Sequence, residues 1–248
     1  MIFKKFLKYI VFLLLIGFLG FLHTFSLKRN LRKTVTQIVV EFEAGTNNFL
    51  THTMVNNMLI QNDTSVKNQA KSVLNLYSLE ETVSQNPYVE KAAVFLTIGG
   101  ALKAIVKQRT PIVRIVQKNI SYYVDRQGIK VPLSDDYSAR VLLVSGVETA
   151  AEIKEIMPLI SCITADDFLQ KEIVGIEKSA DDTYQFSVRS GTYKINFGKL
   201  TKMDVKFRKL KAFYNQAFEN KTIQNYKMIN VKYHNQVVCT KIDQNGRQ

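Results

Sequence analysis

Proline, glycine, cysteine and acidic residues near the start are what this chain has least of. Four prolines and eleven glycines in 248 residues, against a hydrophobic content of 46%, argue against an extended disordered chain. Cys162 and Cys239 stand 77 positions apart, with no CxxC and no histidines at zinc-ligand spacing. That pattern excludes a zinc module, and both thiols read as free, small and apolar. No glycine-rich phosphate loop, no GxSxG and no HExxH occurs, which removes the commonest nucleotide, hydrolase and metalloprotease signatures. The length leaves room for one membrane anchor and one or two small domains.

The formal charge is +13, and its placement matters more than its size. Lys4, Lys5, Lys8, Lys28, Arg29, Arg32 and Lys33 flank the first hydrophobic run, and no acid precedes Glu41. Residues 9–27 are almost wholly apolar, and at ~1.5 Å per residue they span ~28 Å, close to a bilayer's hydrocarbon core. Residues 21–27 (Phe-Leu-His-Thr-Phe-Ser-Leu) offer no small-residue cleavage site, so the run reads as a retained signal anchor, not a removed leader. Three basic residues before the run and four after it set no orientation by charge. A second basic group, Lys199, Lys202, Lys206, Arg208, Lys209 and Lys211, reads as the solvated face of a helix, because no nucleic-acid motif accompanies it.

Beyond the anchor, residues 35–42 are rich in β-branched side chains and read as a strand, ended by a turn at Gly45 and Asn47-Asn48. A helix over 51–59 follows. A second helix begins at Ser78 with a capping-box pattern and stops at Asn86-Pro87. Strands over 88–97 and 101–108 are joined by Gly99-Gly100, giving the order βααββ. Short strands are expected at 112–116, 122–125 and 141–144, with a helix over 149–160. Strict alternation marks 184–188 and 193–197, and an amphipathic helix over 203–218 carries Phe207, Leu210, Tyr214 and Ala217 on one side. Two last strands are expected at 229–233 and 236–242. Adjacent aspartates at 135–136, 166–167 and 181–182 read as caps and loops, since neighbouring side chains point apart.

Three stretches in order, 86–94 (Asn-Pro-Tyr-Val-Glu-Lys-Ala-Ala-Val), 105–112 (Ile-Val-Lys-Gln-Arg-Thr-Pro-Ile) and 123–128 (Tyr-Val-Asp-Arg-Gln-Gly), resemble the FtsQ/DivIB cell-division proteins. Residues 194–198 (Lys-Ile-Asn-Phe-Gly) look like that family's strand-to-helix junction, and 229–233 (Ile-Asn-Val-Lys-Tyr) like its penultimate strand. The sequence departs from the family in three places. It lacks the hairpin Trp-Pro, carries Lys232 where arginine is usual, and carries Gln108 where glutamate is common.

The resemblance implies an α+β protein with a cytoplasmic tail over 1–8, a single transmembrane helix over 9–27 and a βααββ POTRA domain over 34–110. A mixed β-rich domain over 111–243, with a curved antiparallel sheet and flanking helices, and a tail over 244–248 complete it. It also implies a non-enzymatic scaffold in the inner membrane at the division septum, with the bulk of the chain on the periplasmic side. Its partners would be small bitopic proteins of the FtsB and FtsL kind and other divisome members, with no cofactor, metal, nucleic acid or small-molecule substrate. The implied docking edge is Gln236, Val237, Val238, Cys239, Thr240, Lys241 and Ile242, supported by Tyr233.

Two other classes compete. A membrane-anchored cysteine transpeptidase of the sortase kind would use Cys239 and Arg247, but His23, His52 and His234 give the thiol no convincing base. A POTRA-bearing outer-membrane assembly or transport partner would carry repeated POTRA units or a barrel, and no repeat is present.

Overall fold

The computed structural model describes residues 2–31, 34–45, 49–60, 74–118 and 120–242. The turn expected at Asn47-Asn48, Arg247 and the tail over 244–248 lie outside the described residues. So do the side chains of Lys4, Lys5, Lys8, Arg29, Arg32 and Lys33. The chain divides into two compact units, Met1–Gln108 and Arg109–Gln248.

In the first unit, helix α1 (Ile2–Leu31) runs for 30 residues. Every large apolar side chain described between Ile10 and Phe25 is exposed. Among the described residues, no helix is long and apolar enough to cross a membrane.

Next come β1 (Ile38–Phe42), α2 (His52–Met58), α3 (Leu76–Ser84), β2 (Val89–Leu96) and β3 (Leu102–Gln108), in the order βααββ. The sheet order is β1-β3-β2, with β1 parallel and β2 antiparallel to the central β3. Val55, Leu59, Leu79 and Val83 from the helices bury against Val94, Leu102, Ala104 and Val106, which is the helix stripe meeting the alternate residues of the strands.

The start of α3 differs from the sequence reading. Asn75, not Ser78, caps it by accepting from the Ser78 N–H at 3.1 Å, while Glu80 reaches across to the Val94 N–H at 2.9 Å. Gln108 uses both halves of its amide on one residue, accepting from Leu50 N–H (3.0 Å) and donating to Leu50 C=O (3.3 Å). A carboxylate, which only accepts, could not do both.

Among the described residues, the second unit is one nine-stranded sheet with three α-helices and a short 3-10 turn at Ile223–Asn225. Its strands are β4 (Pro111–Val116), β5 (Ser121–Asp125), β6 (Lys130–Val131), β7 (Leu142–Ser145), β8 (Ile173–Lys178), β9 (Tyr184–Val188), β10 (Lys194–Gly198), β11 (Tyr226–Asn230) and β12 (Val238–Lys241). The spatial order is β12-β11-β10-β9-β8-β7-β4-β5-β6. The expected antiparallel sheet is corrected to a mixed one: β4/β7, β7/β8 and β10/β11 pair in parallel. Each parallel junction is made possible by intervening chain long enough to cross over.

Helices α4 (Ala150–Thr164) and α5 (Asp167–Glu172) precede β8, and α6 (Met203–Glu219) precedes β11. Residues from all three helices and both alternating strands form one core, including Ile156, Leu159, Leu169, Phe186, Phe197, Phe207, Leu210 and Tyr214.

Thr149 and Glu152 form a reciprocal capping box at α4. The Glu152 carboxylate also takes the Lys178 ammonium at 2.6 Å. That ammonium, the N–H groups of Thr149 and Glu148 and the Thr149 hydroxyl lower its pKa from an ordinary 4.5 to about 2. A carboxylate depressed on folding stabilises the native state above its unfolded pKa, and this contribution is lost as pH falls toward the folded value. Thermal unfolding between pH 5 and pH 2 should therefore show a pH-dependent loss that Glu152→Gln reduces, with the depressed Asp166 and Asp181 carrying part of the remainder. An unchanged slope in Glu152→Gln would place the carboxylate outside the linkage.

Candidate docking edge

The last strand, β12, is a terminal strand of the nine-stranded sheet and pairs antiparallel with β11 alone among the described residues. Its register sets Asn230 against Val238, Ile229 against Cys239 and Met228 against Thr240. The Ile242 N–H continues the ladder inward, to Asn225 C=O at 2.9 Å. Because backbone groups alternate along a strand, Thr240 and Val238 share that inward direction, and the N–H and C=O of Cys239 and Lys241 face away from β11. Side chains alternate as well. Val237 and Cys239 pack on the core, whereas Val238, Thr240 and Ile242 are exposed. The outward row is a short template for one more strand.

Three sequence segments converge to hold this edge. The Lys194–Gly198 stretch and the 229–233 stretch lie side by side, with Val231 N–H on Asn196 C=O at 3.0 Å. Gly198 has φ +71°, and a Cβ there would stand 2.9 Å from the Cβ of Lys232, so glycine is what lets the end of β10 approach the chain that leaves β11. From α6, the Lys209 ammonium donates to Val231 C=O (3.0 Å), Tyr233 C=O and Gln236 C=O (3.4 Å), tying down both sides of the loop before β12.

Lys209 therefore overturns the reading of a solvated basic face. Lys206 does so too: it is buried, donates to Lys199 C=O at 2.6 Å and lies 4.7 Å above the Phe197 ring, and burial lowers its pKa. Lys211 pairs with Asp166, the N-cap of α5. Lys199, Lys202 and Arg208 are the exposed remainder.

Most of the predicted edge residues come together. Val238, Cys239, Thr240 and Lys241 form β12, Gln236 and Val237 lead into it and Ile242 ends it. Tyr233 is corrected: β11 ends at Asn230, so Tyr233 lies in the connecting loop, exposed, with the Lys232 ammonium 5.3 Å from its ring.

The Cys239 thiol is pushed up in pKa by burial, which holds it protonated at neutral pH and works against a nucleophilic role. Both cysteines are free.

Two buried polar clusters lie elsewhere in this unit. Asp125, 3% exposed, takes Arg109 at 2.8 Å on one oxygen and the N–H groups of Gln127 and Ile129 on the other. This pair unites two of the stretches that carried the family resemblance. Glu172 receives the hydroxyls of Ser190, Tyr193 (3.1 Å) and Tyr214 (3.0 Å) on a single oxygen. Burial raises Tyr193 to about 12 and raises Tyr214 as well, so both remain donors. No group of three metal-ligating side chains occurs among the described residues.

Residues 34–107 match the model of the POTRA-like domain, and residues 110–240 match that of the FtsQ/DivIB, C-terminal related domain. No curated protein matches the chain. The second match alone covers more than half of the 248 residues and takes in β12 as far as Thr240. By sequence and by the order of its domains, this chain belongs to the FtsQ/DivIB family, a family of non-enzymatic cell-division scaffolds.

Proposed function

We propose that the chain is a single-pass scaffold of the division septum that binds a strand from a small bitopic protein of the FtsB or FtsL kind along β12. Through that contact it helps recruit and regulate septal peptidoglycan synthesis, and it acts by binding alone. The apolar run over 9–27 anchors it in the inner membrane, with the short tail in the cytoplasm and the two folded units on the periplasmic side. The exposed apolar side chains that α1 carries between Ile10 and Phe25 support the anchor. One observation carries the docking reading: the sheet's terminal strand, at the C-terminal end of the family-matched domain, presents backbone groups at Cys239 and Lys241 that face away from β11 and are unshared among the described residues.

The test uses proline as a backbone probe. At Lys241 the ring replaces an outward N–H, so the internal ladder survives while the added strand loses a donor and meets a steric block. Lys241→Pro in the full chain should reduce capture of an FtsB-like ectodomain about tenfold or more, counting roughly 1 kcal/mol for the hydrogen bond and the rest for the block. Lys241→Ala, which keeps the N–H, should bind within about twofold. Equal capture by the proline and alanine variants would remove β12 as the docking edge.

A further inference from the structure

The end of the POTRA unit nearest α1 carries an apolar feature that the docking edge does not use. Ile98, at the tip of the β2–β3 hairpin, is 95% exposed, and Tyr77, at the start of α3, is 75% exposed. These are the two most exposed large hydrophobic side chains described outside α1. They belong to one end of the unit. Glu80 of α3 bonds the Val94 N–H, and α3 runs antiparallel to β2 through the turn over 85–88. Tyr77, three residues earlier on the helix, is thereby displaced toward the hairpin tip, as Leu96 is on the strand. The remaining turn residues, Gly99 and Gly100, add no side chain to cover them.

This is also the end at which the chain arrives from α1. Thr36 N–H bonds Gly100 C=O at 3.0 Å, and Leu102 N–H bonds Gln37 C=O at 2.9 Å. Thr36 lies five residue steps beyond Leu31, the last residue of α1, and at ~3.6 Å each they reach ~18 Å at most. The hairpin tip is tethered that closely to the end of the helix. Sequence places Lys28, Arg29, Arg32 and Lys33 in and beside the tether, a charge suited to anionic headgroups.

We propose that Ile98 and Tyr77 rest on the lipid headgroup surface beside the anchor and so fix the orientation of the POTRA unit on the membrane. The occupant is lipid: a short tether, flanking cations, an aliphatic tip and a tyrosine are the side-chain chemistry of a membrane–water interface. The inference rests on the anchor proposed above.

The chain contains no tryptophan, so one introduced indole reports alone. Three full-length variants, Ile98→Trp, Phe18→Trp and Gln85→Trp, are reconstituted into vesicles of phosphatidylcholine and phosphatidylglycerol with brominated acyl chains. Gln85 caps the far end of α3 and is exposed, so it carries any bias of the indole itself. Phe18→Trp should lose most of its emission and Ile98→Trp about half, since interfacial side chains sit within ~10 Å of the acyl boundary. Gln85→Trp should lose little, and adding Tyr77→Asp should relieve the quenching at position 98. Quenching at Phe18→Trp with equal values at 98 and 85 overturns the surface contact and leaves the anchor standing. An unquenched Phe18→Trp overturns the anchor, and the surface contact with it.

Discussion

Arg109→Ala should lower the stability of the second unit by about 3–5 kcal/mol, the usual cost of leaving one partner of a buried ion pair uncompensated. Asp125 is 3% exposed, and Arg109 is the cation on its outer oxygen. The inner oxygen holds the turn after β5 through Gln127 and Ile129, so an unsatisfied charge there strains both the turn and the β4–β5 hairpin. Chemical unfolding of the full chain in detergent micelles measures the loss. In the double variant Arg109→Ala, Asp125→Asn, the amide oxygen can still accept from the turn and no buried charge remains. Some of the lost stability should return. A loss under about 1 kcal/mol for Arg109→Ala would mean that the pair behaves like a solvated surface bridge.

Gly146→Ala should be worse, and a comparison within the same unit shows why. Gly146 (φ +76°) and Gly128 (φ +82°) both occupy the left-handed region, where an alanine costs about 1–2 kcal/mol. Around Gly128 an added Cβ meets nothing within 4 Å. At Gly146 it would stand 2.0 Å from the carbonyl oxygen of Lys178, a backbone atom that cannot rotate away. Gly146 directly follows β7, whose Ser145 is in register with Glu177 of β8, so relief of the clash must force these central strands apart. Gly128→Ala should fold with a modestly lower melting temperature, whereas Gly146→Ala should fail to give a cooperative second unit. Similar melting of the two variants would refute the close approach.

The βααββ order of the first unit could be read directly because its elements are local. Each helix has a cap and a stripe, and the strands over 88–97 and 101–108 share a two-glycine turn. In the second unit the alternating pairs Tyr184/Phe186 and Ile195/Phe197 were equally plain. By contrast, α5 and β8 are six residues each, and β8 places half-exposed Val174 and Gly175 where alternation would demand one buried residue. Its strand identity comes from pairing with β7 and β9, partners that no local window contains.

The parallel junctions escaped for the same reason. The last strand was legible as a segment, but the position of Tyr233 was not, because Asn230 ends β11 and Lys209 draws the following carbonyls toward α6. A clue to the clamp existed. Lys206 and Lys211 fall beside the apolar stripe of α6 at 3.6 residues per turn, not opposite it.

The internal uses of Lys206, Lys209 and Lys211 change what the +13 charge can do. Attraction to a polyanion grows with the number of condensed counterions released, and ammonium groups already engaged with carbonyls or a carboxylate release fewer. Retention of this protein on heparin should accordingly fade at a lower salt concentration than its composition alone would indicate.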